Sequence, residues 1–338
     1  MERETEMTIL RFSKKDAISS EKCGETGVSL FCGCGGSALG YELAGFKMAI
    51  GVDWDKFACE AYRKNFPGKI VIRADVRKLR GEDLLGKIGR RPGEIGLLDG
   101  SPPCQTFSSA SAFSKIKLAD ERSWLPFEFA RLVAETKPKV FVMENVKGFV
   151  QGKAVGVFKE TKKRLSAAGY RVEARLLDAS YLGVPQKRKR VFLIGVRDDG
   201  GISPAFPKPS LRPATMGEVL DGARLVLARW KNKKNGFGEK FVLARPRDPS
   251  PTVTTVGIGI YCWIDIAKED LSKDVRIREP LTTEDVKALC GFPPDFVLLG
   301  RKRTDLRLLG NSVPPPVTFH VGNALIKDVF GKWGSRKQ

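Results

Sequence analysis

The chain has 338 residues, 42% of them hydrophobic, and a formal net charge of +20. That apolar share excludes a disordered chain, and the length allows one large domain or two modest ones around a packed core. The surplus of Lys and Arg favours a polyanionic partner such as nucleic acid, although a heat-adapted surface poor in amides, with four Gln and six Asn, accounts for it too. Seven scattered cysteines, an odd number, exclude a disulfide framework and point to a reducing compartment. The first 26 residues are charged throughout, with no apolar signal core, and no apolar run reaches membrane-spanning length. A soluble intracellular protein is expected. The single histidine, His320, restricts Ser-His-Asp, Cys-His and zinc chemistry, and Cys32-x-Cys34 is too close and too isolated for a usual zinc motif, so no metal is expected.

In chain order, short apolar runs predict strands at Val28–Phe31, Met48–Val52, Ile70–Ile72, Ile95–Leu98, Val140–Met143, Val172–Leu177 and Val191–Val196. Amphipathic stretches predict helices at Ser37–Ala44, Asp55–Asn65, Leu125–Glu135 and Val155–Ala168, with Gly45 as a C-terminal glycine and Asp55 as an N-cap. Strand and helix alternating at this spacing imply a mostly parallel, doubly wound α/β sheet, in which ligands collect at the carboxyl ends of the strands. From Asp198 to Arg278 the chain turns rich in Pro and Gly, with a strand-like piece at Pro251–Val256, and a smaller irregular domain is expected there. Thr282–Cys290 and Val317–Phe330 predict two further helices. There is no internal repeat.

Val28–Gly40 reads VSLFCGCGGSALG: a strand enters a glycine-rich turn and a helix leaves it. Such a turn lets backbone approach a ligand and offers free N–H groups to an anion. Gly33, Gly35 and Ala38 fit the dinucleotide spacing, and Asp53 comes after the next strand, where an acid could accept from ribose hydroxyls. By itself the loop admits NAD or S-adenosylmethionine, since both carry an adenosine. Trp54 could stack on an adenine, though an interface or core Trp is commoner. Asp75 could accept from an adenine amino group or simply cap a surface turn.

Leu97–Phe113 reads LLDGSPPCQTFSSASAF. A free cysteine is usually a small buried hydrophobe, but Cys104 lies past a strand end and two ring-stiffened residues, Pro102 and Pro103. An ordinary thiol has a pKa of about 8.5, so a nucleophile here needs cations or N–H donors nearby. Val140–Val146, VFVMENV, sets the carboxyl of Glu144 at the same sheet edge, able to carry a proton if burial raises its pKa, or merely solvated. In QKRKR, read as one extended strand, Gln186, Arg188 and Arg190 share a face and could hold a carboxylate, phosphate or base; by composition alone a basic surface run is the favoured reading.

The order FCGCGG, VDWD, SPPCQ, ENV, QKRKR, LLGNSVPPP resembles the cytosine-C5 DNA methyltransferases from about Gly27 to Leu325, interrupted by the variable Asp198–Arg278 stretch. The resemblance implies an S-adenosylmethionine-dependent, Rossmann-like catalytic domain at 26–197 plus 305–335 and a target-recognition domain at 198–304. It implies Cys104 as nucleophile, Glu144 on the cytosine, and Arg188 and Arg190 supporting the base and loop. Phe31, Gly33 and Gly35 would line the cofactor loop, Asp53 hold the ribose, Trp54 the adenine and Asp75 its amino group, while Asn311 packs the last helix beside the loop. Departures are Asp53 in place of the family's usual Glu, Cys32 in place of Ala or Ser, and a REPLTTEDVKALCGFPPDF segment with Asp285 in place of Glu.

The chemistry implied is addition of the thiolate to C6 of a flipped-out cytosine, methylation at C5 and β-elimination. Double-stranded DNA is the expected partner, with a cognate restriction endonuclease as companion, and the protein is expected to be monomeric, prokaryotic and cytoplasmic, at the nucleoid when acting. The alternative from the same superfamily is a tRNA cytosine-C5 methyltransferase. A nicotinamide oxidoreductase would leave the later motifs without a role, and a DNA-binding module without catalysis would leave Cys104 and Glu144 without one.

Overall fold

The computed structural model describes residues 12–19, 23–103, 124–220, 225–231, 239–254, 260–266 and 275–333. They fall into two compact units. The larger draws on Lys15–Leu177, Lys189–Pro207 and Thr318–Gln338, the smaller on Met1–Lys14, Asp178–Arg188 and Lys208–Val317.

After a short helix α1 (Lys14–Ser19), the larger unit alternates: β1 (Thr26–Leu30), α2 (Gly36–Ala44), β2 (Lys47–Asp53), α3 (Lys56–Asn65), β3 (Ile70–Arg73), α4 (Gly81–Gly86), β4 (Leu97–Gly100), α5 (Leu125–Thr136), β5 (Val140–Val146), α6 (Val155–Ala167), β6 (Tyr170–Asp178) and β7 (Lys189–Arg197). The sheet order is β3-β2-β1-β4-β5-β7-β6. β1 to β5 run parallel, and β7 runs against β5. Central strands such as β1, β4 and most of β5 are buried along their length, as strands covered on both faces must be, which is why they read as unbroken apolar runs. One face packs Leu98, Phe141 and Leu193 against Phe129 and Val133 of α5 and Leu165 of α6. The expected N-cap holds: the Asp55 carboxylate accepts from the backbone N–H of Phe57 and Ala58. Gly45 ends α2 at φ 111°, a left-handed conformation open to glycine. The strand order reverses about β1 and β4, and this switch point opens at the carboxyl edge of the parallel strands.

Three short helices went unanticipated, α1, α4 and α8 (Lys302–Asn311). α4 begins on glycine, and α8 is largely polar, so neither shows a helical apolar stripe in the sequence. The smaller unit holds a four-stranded sheet ordered β11-β10-β8-β9, from β8 (Leu225–Lys231), β9 (Glu239–Ala244), β10 (Ile260–Ile266) and β11 (Val275–Pro280). The strand anticipated at Pro251–Val256 is absent over Pro251–Thr254: the chain there continues from an isolated bridge between Ser250 and Gln186. Helix α7 (Thr283–Leu289) opens with a capping box in which Thr282 and Asp285 satisfy each other's backbone N–H, a role in which the shorter acid serves. Helix α9 (Pro315–Asp328) closes the described fold. Among the described residues no helix is long and apolar enough to cross a membrane.

Residues 178–188 and 305–317, grouped by the sequence reading with the catalytic domain, cluster with the smaller unit. Side-chain hydrogen bonds explain part of this. Gln186, fully buried, accepts from the Val253 N–H at 3.1 Å and donates to the Leu289 carbonyl at 3.2 Å. Arg188, only 2% exposed, donates to the carbonyls of Gly310 at 3.0 Å, Ser312 at 2.8 Å and Val253 at 3.4 Å. Three chain segments meet on one guanidinium.

Replacing Arg188 with Met keeps the bulk and strands those buried carbonyls, so urea unfolding should show a loss of about 2–4 kcal/mol. In the larger sheet a Cβ at Gly195 would lie 2.0 Å from the ring of Phe141, its cross-strand partner. Gly195→Ala should therefore cost about 1–3 kcal/mol by overpacking, read as a lowered thermal midpoint.

Candidate active site

The carboxyl ends of β1 to β5 lie along one edge, because parallel pairing in register aligns Leu30 with Val52 and Gly100, and Gly100 with Met143. The loops leaving these strands therefore face a common region. After β1 come Phe31, Cys32, Gly33, Cys34 and Gly35. Phe31 takes φ 54°, unusual for a side chain with a Cβ, and Gly33 and Gly35 take φ 55° and 102°. Gly35 caps α2, and a Cβ there would lie 2.2 Å from the ring of Phe66, so the position excludes any larger residue.

After β2, the Asp53 carboxylate accepts from the Gly33 N–H at 2.9 Å and, through its other oxygen, from the Asp55 N–H at 2.9 Å. The acid at the end of β2 thus holds the loop after β1. Burial raises the Asp53 pKa, and the two N–H donors pull it back. Trp54 stands 78% exposed beside it, an aromatic face open to a planar ligand. Asp75, past β3, caps the next turn through the Arg77 N–H and takes the Arg77 guanidinium at 2.6–3.0 Å, which holds its carboxyl below the usual range.

After β4 the chain runs Ser101-Pro102-Pro103; Cys104 lies outside the described residues. The buried Asn145 side chain on β5 donates to the Pro102 carbonyl at 3.1 Å. Its neighbour Glu144 is buried and pairs with Arg190, Nε to Oε1 3.0 Å. The reversal of β7 makes this pairing possible: Val146 stands opposite Arg190, so the start of β7 meets the end of β5.

The expectation that Gln186, Arg188 and Arg190 share one strand face is corrected. β7 begins only at Lys189, so the alternation of an extended strand does not reach back to Gln186 and Arg188. Those two serve the interior of the smaller unit, and Arg190 alone joins Glu144. Asn311 ends α8, exposed and also in the smaller unit. Burial pushes the thiols of Cys59 and Cys290 up to about 11 and raises that of Cys32 well above its ordinary value, so all three stay protonated and make poor nucleophiles. Burial lowers the His320 pKa to about 4, leaving it neutral on α9. Among the described residues no cluster of three or more His, Cys, Asp or Glu is arranged to hold a metal.

Two site features escaped sequence reasoning. One is the Asn145 clamp. The other is Asp99, the penultimate residue of β4 and 2% exposed. One of its oxygens accepts from the Ser29 hydroxyl at 3.0 Å and the Ser37 hydroxyl at 2.6 Å. The buried Tyr41 hydroxyl lies by the same carboxyl without an aligned hydrogen bond. Burial pushes Asp99 up to about 6 against the pull of the hydroxyls, with the Glu144 charge adding to the rise. A carboxyl pKa raised from 3.8 means the folded state holds the proton longer than the unfolded chain, so stability falls as pH rises from about 4 through about 6. Asp99→Asn keeps an acceptor for both serines and removes the charge. It should unfold at the wild-type temperature near pH 4 and be stabilised by about 3 kcal/mol at pH 8, as thermal melts at the two pH values would show.

Comparison with known proteins accords with this layout. The model of the C-5 cytosine-specific DNA methylases matches residues 26–247 and 230–327. Type II methyltransferase M.FnuDI of Fusobacterium nucleatum is 39% identical over 353 residues, covering 92% of this chain and 97% of the relative. Type II methyltransferase M1.HphI of Haemophilus parahaemolyticus is 31% identical, covering 89% and 87%. Among solved structures, DNMT2 of Spodoptera frugiperda superposes with a TM-score of 0.65 at 20% identity, covering 91% of this chain and 100% of that one, a likeness of fold. With the family's model spanning most of its length and relatives matched nearly end to end, this chain is a member of the C-5 cytosine-specific DNA methylase family, a methyltransferase of the S-adenosylmethionine-dependent fold.

Proposed function

We propose that this enzyme methylates C5 of a flipped-out cytosine in a specific sequence of duplex DNA, with S-adenosylmethionine as donor and Cys104 as covalent nucleophile. The observation that carries the reading is the shared strand edge: the Asp53-braced loop, the Asn145-held Pro102 carbonyl and the Glu144–Arg190 pair all lie at parallel strand ends that face one region. The chemistry of these residues fits the donor. An adenosine needs a carboxylate for its ribose and an apolar face for its base, and Asp53 with the exposed Trp54 supplies both. Asp75 is engaged by Arg77, so a role on the adenine requires exchange of that partner. When bound, S-adenosylmethionine supplies a methyl carbon on a positively charged sulfur.

Within this reading the Cys104 thiolate adds to C6 of the ring, which pushes an electron pair toward C5 and N3. Glu144 delivers a proton toward N3 and so accepts the charge that would otherwise build there. Arg190 orients Glu144. C5 would take the methyl, the electron pair of the broken S–CH3 bond staying on the donor's sulfur; N3 returns its proton to Glu144, a base removes the C5 proton, and the electron pair of that C–H bond expels the sulfur from C6. Arg188 acts at a distance, by fixing the turn at residues 310–312. The larger unit carries the chemistry, and the smaller, which holds the variable segment, recognises the target. Extrusion of the base costs a few kcal/mol, offset by phosphate contacts from a strongly basic chain. The names of the Type II relatives support a place in restriction and modification.

Cys104→Ser should lower methyl transfer by at least roughly a thousandfold while duplex binding persists. With 5-fluorocytosine in the target and the donor present, the wild-type chain should form an adduct at residue 104, detected by mass spectrometry. Its absence on every duplex tried, with transfer to tRNA instead, would turn the assignment to an RNA substrate. Binding should weaken by about 10³ or more between roughly 0.05 and 0.2 M salt if six or more phosphates are contacted, as a fluorescence titration would read.

A further inference from the structure

Among the buried polar groups that the proposed chemistry does not use, Asp99 stands out by its connections. In the parallel register Ser29 of β1 and Asp99 of β4 are direct partners, and their side chains meet at 3.0 Å. The same carboxylate oxygen takes the Ser37 hydroxyl at 2.6 Å. Ser37 sits in the first turn of α2, two residues beyond Gly35, the cap whose left-handed backbone ends the cofactor loop. The carboxylate therefore joins three elements: the strand entering the loop, the helix leaving it, and β4, whose Asp99 precedes Cys104 by five positions in the sequence. All of these groups are buried, so water cannot substitute for a lost partner.

A buried acid without a cation hydrogen-bonded to it is costly for a fold. Among the described residues its hydrogen bonds come from the Ser29 and Ser37 hydroxyls, with Tyr41, Tyr62 and Glu144 the ionisable groups that face it. Apolar side chains of similar shape would pack as well, yet they lack an acceptor that draws two hydroxyls to one atom.

We propose that Asp99 is a positioning residue for methyl transfer, binding the first turn of α2 to β1 and β4 through Ser37 and Ser29 so that the Phe31–Gly35 loop is held in the shape that receives S-adenosylmethionine. This rests on the reading of that loop as the donor site. Asp99 does not touch the donor; it sets the loop, which contributes to affinity by being ordered before binding.

The test is calorimetric titration of S-adenosylmethionine into the full chain. Binding by the wild type comes first: if the wild type takes up none, the cofactor reading fails, and this proposal fails with it before any variant is made. Given wild-type binding, Asp99→Ala should raise Kd for the donor by roughly tenfold, and Ser37→Ala by about threefold, with duplex affinity unchanged. Asp99→Asn, which retains an acceptor for both hydroxyls, should restore Kd to within about twofold of wild type. A merely structural role would instead lower the fraction of binding-competent chains and leave Kd where it was. Should Asp99→Ala fail to fold, Ser37→Ala decides alone, and an unchanged Kd overturns the proposal. So does an Asp99→Asn variant as impaired as Asp99→Ala.

Discussion

A turn that begins Pro102-Pro103 has no backbone N–H at either residue, so it cannot be tied down by donating from its own amides. It can be held only through its carbonyls or its neighbours. The Asn145 amide answers that constraint by reaching across from β5 to the Pro102 carbonyl, and both groups are out of water. The arrangement depends on this bond. It sets the exit from β4 against the end of β5, where Glu144 stands, and Glu144 in turn engages Arg190. The stiffness of two pyrrolidine rings then acts on a turn whose origin is fixed.

The second organising contact is electrostatic and runs through backbone. Asp53 gathers the N–H groups of Gly33 and Asp55, so the loops after β1 and β2 are tied to one carboxylate. Asp99 does the same for β1, α2 and β4 through hydroxyls. Each acid is disfavoured by its burial, and each connects elements that the sheet alone would leave independent. The sheet thus provides the edge, and a few buried polar groups convert the edge into a site.

Much of this was legible in the amino-acid order. Strands covered on both faces must be apolar throughout, so β1, β4 and β5 announced themselves, and Asp55 marked a helix start because its carboxylate has the geometry to take the next free N–H groups. The place of Glu144 at the sheet edge was readable from the apolar run before it, while its burial was not, since a solvated acid fitted the sequence too. What was hidden depends on partners remote in the chain. Asp99 meets hydroxyls 62 and 70 residues away, and Arg188 meets carbonyls 65, 122 and 124 residues away. No local pattern encodes such pairings. Alternation misled at QKRKR for a related reason: a period of two applies only where the backbone is extended, and β7 had not yet begun.

The reversed strand has one more effect. β7 starts beside Glu144 and ends at Arg197, whose N–H bonds to the Lys139 carbonyl just before β5, so nine residues carry the chain from the rim where Glu144 and Arg190 pair to the opposite rim, roughly 25 Å away. Whatever sequence is spliced in after Arg197 sets out from the quiet side of the sheet. Evolution can lengthen, shorten or rewrite that excursion without tugging on the carboxylate and guanidinium left behind.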